Sequence, residues 1–110
     1  MGTHIILDLF GCSIKMLEKV EIVEKIMDEV VSEVNFSEIK RGFHQFKPYG
    51  VTGFILLAES HLSIHTWPEK KSVAVDIFSC DSDKNKVEKA FKLIIKKFKP
   101  KNYRKVIIER

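Results

Sequence analysis

The sequence predicts an α+β two-layer sandwich, two helices packed on one mostly antiparallel β-sheet. Three observations predict it. Two stretches repeat apolar residues at helical spacing, six shorter runs have strand composition, and no linker or low-complexity segment interrupts the 110 residues. That length fits one domain, and 45% hydrophobic residues suffice for a single core.

The first strand is "HIILDLF", His4 to Phe10, closed by the turn residues "GCS". From Ile14 to Val34, Met16, Val20, Val23, Ile26, Met27, Val30, Val31 and Val34 recur on one helical face, with Glu and Lys on the other. Ser13 is the expected N-cap, and Asn35 marks the end. Four strand candidates follow: "EIKRGFHQF", "GVTGFILLA", "HLSIHTW" and "KSVAVDIFSC". They are separated by "KPYG", a point near Glu59, and "PEKK". "DSD", Asp81 to Asp83, supplies capping groups and negative charge for a second helix over Lys84 to Phe98. Its apolar stripe is Val87, Ala90, Phe91, Ile94, Ile95 and Phe98. "KPKN" stops it, and "RKVIIE" is the last strand. The order is β-α-β-β-β-β-α-β.

Composition excludes several classes. No apolar run approaches the roughly 20 residues that span a bilayer. "MGTHIILDLFG" lacks a basic leader, so neither a signal peptide nor a membrane role is expected. Cys12 and Cys80 are too few for a disulfide framework, which makes a reduced, cytoplasmic protein the expectation. Residues 84–110 carry 11 Lys and Arg against 2 Glu, whereas the first 83 carry 8 against 13 acidic residues. A basic tail of this kind can bind nucleic acid, but its amphipathic pattern points to a solvated helix face, and no nucleic-acid partner is assigned.

The reactive side chains gather in "AESHLSIHTWPEKKSVAVDIFSCD", Ala58 to Asp81. It holds Glu59, Ser60, His61, Ser63, His65, Thr66 and Cys80. His61, Ser63 and His65 share one strand face by parity. There is no C-x-x-C and no strong ligand spacing, so no metal site is assigned. A Cys–His nucleophile pair fits the residue types, but the local pattern does not define one. Ser60 has the opposite parity to His65, and on one straight strand the two stand roughly 16 Å apart. They cooperate only if the chain bends at Glu59–Ser60 or another residue bridges them. Residue spacing goes no further than a site.

"ESHLSIHTWPE" followed by "VDIFSCD" closely resembles the self-processing segment of the small prokaryotic S-adenosylmethionine decarboxylases. "DLFGC" and "FHQFKPYGVTG" extend the resemblance over nearly the whole chain. The resemblance implies a proenzyme that cuts itself between Glu59 and Ser60, giving chains 1–59 and 60–110. The Ser60 hydroxyl would attack the Glu59 carbonyl, and elimination would leave a pyruvoyl group derived from Ser60 as the cofactor. That group forms a Schiff base with the substrate amine and acts as the electron sink for decarboxylation, so pyridoxal is not required.

By the same resemblance, His65 is the proton acceptor in processing, and Cys80 is the proton donor in catalysis. Thr52 stands where the family usually has a serine hydroxyl that aids processing. Phe46 matches an aromatic that stacks on adenine, and Glu69 an acid near the ribose. Phe46 as ordinary core and Glu69 as a turn residue beside Pro68 stay open as alternatives. Cys12, His4, His44 and His61 receive no catalytic role. The implied reaction is decarboxylation of S-adenosylmethionine to the aminopropyl donor for spermidine, by a homodimer of processed pairs with sites at or near the subunit interface. Decarboxylation of arginine by a related enzyme is the alternative, and a binding module holding RNA on the basic helix is a third. The joint presence of Ser60, His65 and Cys80 argues against a mere binding module.

Overall fold

The computed structural model describes all 110 residues. Six strands form one antiparallel sheet: β1 (Thr3–Phe10), β2 (Glu38–Gln45), β3 (Val51–Leu57), β4 (Ser60–Trp67), β5 (Ser72–Ser79) and β6 (Asn102–Glu109). Their spatial order is β2-β3-β4-β5-β1-β6. Helices α1 (Val20–Val34) and α2 (Asn85–Phe98) pack on one face. The α+β two-layer sandwich read from the sequence is therefore the fold. No helix is long and apolar enough to cross a membrane.

The period-two alternation of β1, β4 and β5 explains the layering. Leu7, Leu62, Ile64, Val73, Val75 and Ile77 point into the core beneath the helices and are buried. Their neighbours in sequence point to the opposite face, which no element covers. Phe10, Phe54, Leu56, Val106 and Ile108 are each at least 40% exposed. They sit towards the two edges of that face, and Ser63, Asp76, His61 and His4 lie between the β3 pair and the β6 pair.

The helices join through charge as well as packing. Lys97 of α2 reaches Glu29 at 3.3 Å and Glu33 at 2.9 Å on α1. Several lysines of the basic tail thus neutralise acidic partners, among them Lys105 with Glu88 at 3.1 Å. The Lys105 ammonium also lies 3.9 Å from the centroid of the Phe91 ring.

The boundary that differs most from the sequence reading is the start of α1, the others shifting by one or two residues. α1 begins at Val20, not Ile14, and Ser13 does not cap it. Ser13 instead precedes a single 3-10 turn, Ile14–Met16. The carbonyls that would continue this turn into a helix are used elsewhere. Leu17 O accepts from the Thr66 hydroxyl at 2.8 Å, and Glu18 O accepts from Gly50 N–H at 3.0 Å and the Gln45 amide at 2.8 Å. Helical bonding starts only after these links. Asn35 does end the helix, in the left-handed region at φ 68°.

Candidate active site

The site begins at the turn Ala58–Glu59 between β3 and β4. Three hydrogen bonds pin it. Ala58 N–H donates to Ser37 O at 2.8 Å, and Ser37 N–H donates to the Glu59 carboxylate at 3.1 Å. Cys80 N–H donates to the Glu59 carbonyl oxygen at 2.7 Å. The last bond exists because Ser60 pairs with Ser79 across β4 and β5, which carries the end of β5 alongside the turn. A short N–H···O bond draws electron density from the carbonyl and leaves its carbon more electrophilic.

Ser60 itself is strained. Its φ is 149°, in a region that is essentially reserved for glycine. Such a conformation costs on the order of 1–3 kcal/mol and persists only where the surroundings impose it. Here the surroundings are the pinned turn on one side and pairing with Leu57 and Ser79 on the other. The Ser60 hydroxyl lies 3.3 Å from Nδ1 of His61. The His61 ring packs edge-on against Phe78, with centroids 5.6 Å apart.

Cys80 follows the last residue of β5 and is exposed, so it is not the buried strand residue that its setting in "DIFSC" permits. The loop after it is ordered by its acids. The Asp81 carboxylate accepts from Asp83 N–H at 2.8 Å and pairs with Lys86 at 3.1 Å. These contacts, the backbone bond first, hold the Asp81 carboxyl below its usual range. The Asp83 carboxylate in turn accepts from Asn85 N–H at 3.0 Å, so it meets one amide of the first turn of α2 from outside the helix, whereas the N-cap position expected within "DSD" is Lys84, which makes no side-chain cap bond. A small cavity of about 210 Å³ opens beside Cys80, lined also by Gly2, Thr3 and Asp81.

The remaining predicted residues form a second cluster at the other end of β4. Thr52 on β3 faces His65 across the ladder. The His65 ring lies 5.5 Å from Phe46 and 4.3 Å from Trp67 between centroids, and His44 meets Phe46 edge-on at 4.9 Å. Phe46 is 37% exposed, which removes the reading of it as core. Glu69 is exposed in a 3-10 turn, Pro68–Lys70, that follows Trp67 directly. A hollow of about 510 Å³ lies beside this cluster, lined by His44, Thr52, Phe54 and Ser63. The Thr52 hydroxyl donates to Ile64 O at 3.4 Å.

The two clusters do not meet within the chain. The expected turn at Glu59–Ser60 is present, yet it reverses the chain into β3 and leaves Ser60 at the opposite end of β4 from His65. They stand five positions apart along the strand, about 16 Å. Ser60 and Cys80 form one half, and Thr52, His65, Phe46 and Glu69 the other.

His44, Trp67 and His61 stand among these residues without having been assigned a role from the sequence. Strand parity was the available signal for the first two, since each lies two residues from Phe46 or His65. Thr66, central in "HTWPE", has a structural task. Its buried hydroxyl accepts from Val51 N–H at 2.9 Å while donating to Leu17 O.

Comparison with known proteins agrees with this architecture. The family described as S-adenosylmethionine decarboxylase matches residues 3–110. The S-adenosylmethionine decarboxylase proenzyme of Archaeoglobus fulgidus is 48% identical over 110 residues, covering 100% of this chain and 97% of the relative. That of Sulfurihydrogenibium is 44% identical over the same length, covering 82% of the relative. The crystal structure of the adenosylmethionine decarboxylase from Aquifex aeolicus superposes with a TM-score of 0.95 at 37% identity, covering all of this chain and 90% of that one. A Trypanosoma brucei AdoMetDC monomer, at 16% identity, shares the fold with a TM-score of 0.74 over 96% of this chain and 45% of its own. The chain belongs to the S-adenosylmethionine decarboxylase family.

Proposed function

We propose that this chain is a proenzyme that cuts itself between Glu59 and Ser60 and then decarboxylates S-adenosylmethionine to an aminopropyl donor for spermidine. The observation that carries the reading is the scissile turn. A serine hydroxyl sits next to a carbonyl already polarised by Cys80 N–H at 2.7 Å, on a residue strained at φ 149°. Attack by Ser60 Oγ on the Glu59 carbonyl carbon exchanges an amide for an ester, and the negative charge that develops on Glu59 O falls on a donor already in place. Loss of the Ser60 Cα proton then expels the Glu59 carboxylate, ending the first chain at residue 59. The resulting dehydroalanine tautomerises to an imine, and its hydrolysis releases ammonia.

Once formed from Ser60, the pyruvoyl group supplies the electron sink that decarboxylation needs. The chain supplies the rest. Cys80, exposed beside its small cavity, is the acid that returns a proton to the product carbon. Phe46 offers a face for the adenine, with His65 beside it and Trp67 against His65, and Glu69 offers a carboxylate for the ribose hydroxyls. Thr52 offers a hydroxyl during processing. His65 is the base that removes the Cα proton, the general-base task an imidazole performs most often.

The gap of about 16 Å between Ser60 and His65 is closed by a second copy of the chain. We place a twofold axis over the uncovered sheet face, so that Ser60 and Cys80 of one protomer meet the partner's His65, Thr52, Phe46 and Glu69. Isologous pairing of this kind generates two equivalent sites from two half-sites. The exposed Phe54, Leu56, Val106 and Ile108 supply apolar area for it.

Intact-mass measurement tests the reading. Incubated protein is expected to give a 1–59 chain and a 60–110 chain that lacks a free N-terminal amine, and the processed protein to decarboxylate S-adenosylmethionine in preference to arginine. A single unmodified chain that turns over at full rate overturns it.

A further inference from the structure

We infer that His61 is the base that starts self-cleavage, an inference that rests on the processing reading above. Processing requires removal of two different protons, first from Ser60 Oγ and later from Ser60 Cα. His65 is about 16 Å along the strand from Ser60 and reaches it only from a second chain. His61 is on the same chain as the nucleophile, with Nδ1 at 3.3 Å from Ser60 Oγ. The next ring along, Phe78, holds it there: His61 pairs with Phe78 across β4 and β5 and packs on it edge to face. His4 braces the same Phe78 ring at 5.5 Å and is itself held by Asp76 at 3.0 Å.

The step balances on these atoms alone. Nδ1 takes the Oγ proton as the Oγ–C bond to Glu59 forms. The bond from the Glu59 carbonyl carbon to the Ser60 nitrogen then breaks, and the same proton passes from Nδ1 to that departing nitrogen. An amide becomes an ester, with no co-reactant and no net change in protonation. Nδ1 acts as the acceptor, so the neutral ring carries its hydrogen on Nε2. Cys80 N–H stabilises the oxygen while His61 moves the proton, a division of labour between charge and proton common to acyl transfer.

The test follows processing of His61→Ala, His61→Gln and His61→Phe by intact mass, each with and without hydroxylamine, beside wild type and Ser60→Ala as an uncut folded reference. All three variants are expected to cut about 10²–10⁴-fold more slowly. They should accumulate as amide, which hydroxylamine does not cleave, and imidazole should accelerate His61→Ala. His61→Phe keeps a ring against Phe78, and His61→Gln keeps a polar group beside Ser60. Wild-type cutting by either variant overturns the inference, because packing or hydrogen bonding alone would then suffice. Accumulation of a hydroxylamine-sensitive ester overturns it too, since the first step would have proceeded without His61. A wild-type chain that remains whole defeats the processing reading itself, and the inference with it.

Discussion

Cys80 N–H donates to the Glu59 carbonyl oxygen at 2.7 Å, which gives Cys80 two separable parts to play. Its backbone faces the bond proposed to break, and its thiol is the group proposed to act after that bond is gone. Alanine removes the thiol and keeps the N–H, and proline removes both, so the difference between the two variants reports the N–H.

Cys80→Ala keeps the N–H and loses the thiol. It is expected to cut itself, with turnover reduced about 10²–10⁴-fold. Misplaced protonation should also convert the end of the 60–110 chain to an amine during turnover, detectable by mass after many cycles. Cys80→Pro deletes the N–H, and cutting should slow by about 10²–10³, as for loss of one oxyanion donor. Normal cutting by Cys80→Pro would remove the carbonyl bond from the mechanism.

Ser60→Ala and Ser60→Gly both lack the hydroxyl, so neither is expected to cut or to decarboxylate. Their stabilities separate the strain from the chemistry. Glycine accepts φ 149° without the clash imposed by a Cβ, so Ser60→Gly should be the more stable of the two by about 1–3 kcal/mol. Thermal unfolding of the two uncut proteins measures this, and equal midpoints would mean that the turn stores no strain at Ser60.

A half-site arrangement predicts rescue between chains. His65→Ala alone should stall at the ester and release its first segment on addition of hydroxylamine. Mixed with Ser60→Ala under conditions that exchange subunits, the His65→Ala chain meets an intact His65 of the partner subunit, and its cutting should recover. Lack of recovery in verified mixed dimers would return His65 to a role within its own chain.

The two cysteines should differ sharply towards a thiol reagent. Cys80 is exposed, whereas Cys12 is 1% exposed and burial pushes its thiol up to about 11. One thiol per native chain should react quickly, and Cys80→Ala should abolish that phase. The raised Cys12 value also has a stability sign. The unfolded thiol ionises first, near 9.0, so the folded state binds the proton more tightly and stability falls as pH rises from there towards 11. The loss from this group approaches about 1.4 kcal/mol per pH unit within that window. Unfolding curves of wild type minus Cys12→Ala, taken between pH 8 and 11, should show that slope.

Much of this was legible in the sequence because strands and helices write their periods into it. The alternation in "HLSIHTW" placed His61, Ser63 and His65 on one face, and strand rise alone separated Ser60 from His65. What the residues could not display was order in space. The 2.7 Å bond to Glu59 depends on β5 lying beside β4 in one register, a relation between segments about 20 residues apart that local pattern does not encode. The start of α1 departs from the sequence pattern for a related reason. Ile14 to Lys19 has helical spacing, but the carbonyls of Leu17 and Glu18 are claimed by Thr66, Gly50 and Gln45 from the far end of the sheet.

The strand order β2-β3-β4-β5-β1-β6 carries a last consequence. Residues 1–59 contribute β1, β2 and β3, yet β1 is threaded between β5 and β6 of the other segment. A break after Glu59 therefore leaves two polypeptides interwoven, neither of which closes the sheet by itself. Folding is a first-order event on the continuous chain, but rebuilding a cut and denatured pair is second-order and lacks the effective concentration that the peptide bond provided. Maturation would thus make unfolding hard to reverse, and the lifetime of the mature protein would be set by its rate of coming apart rather than by an equilibrium.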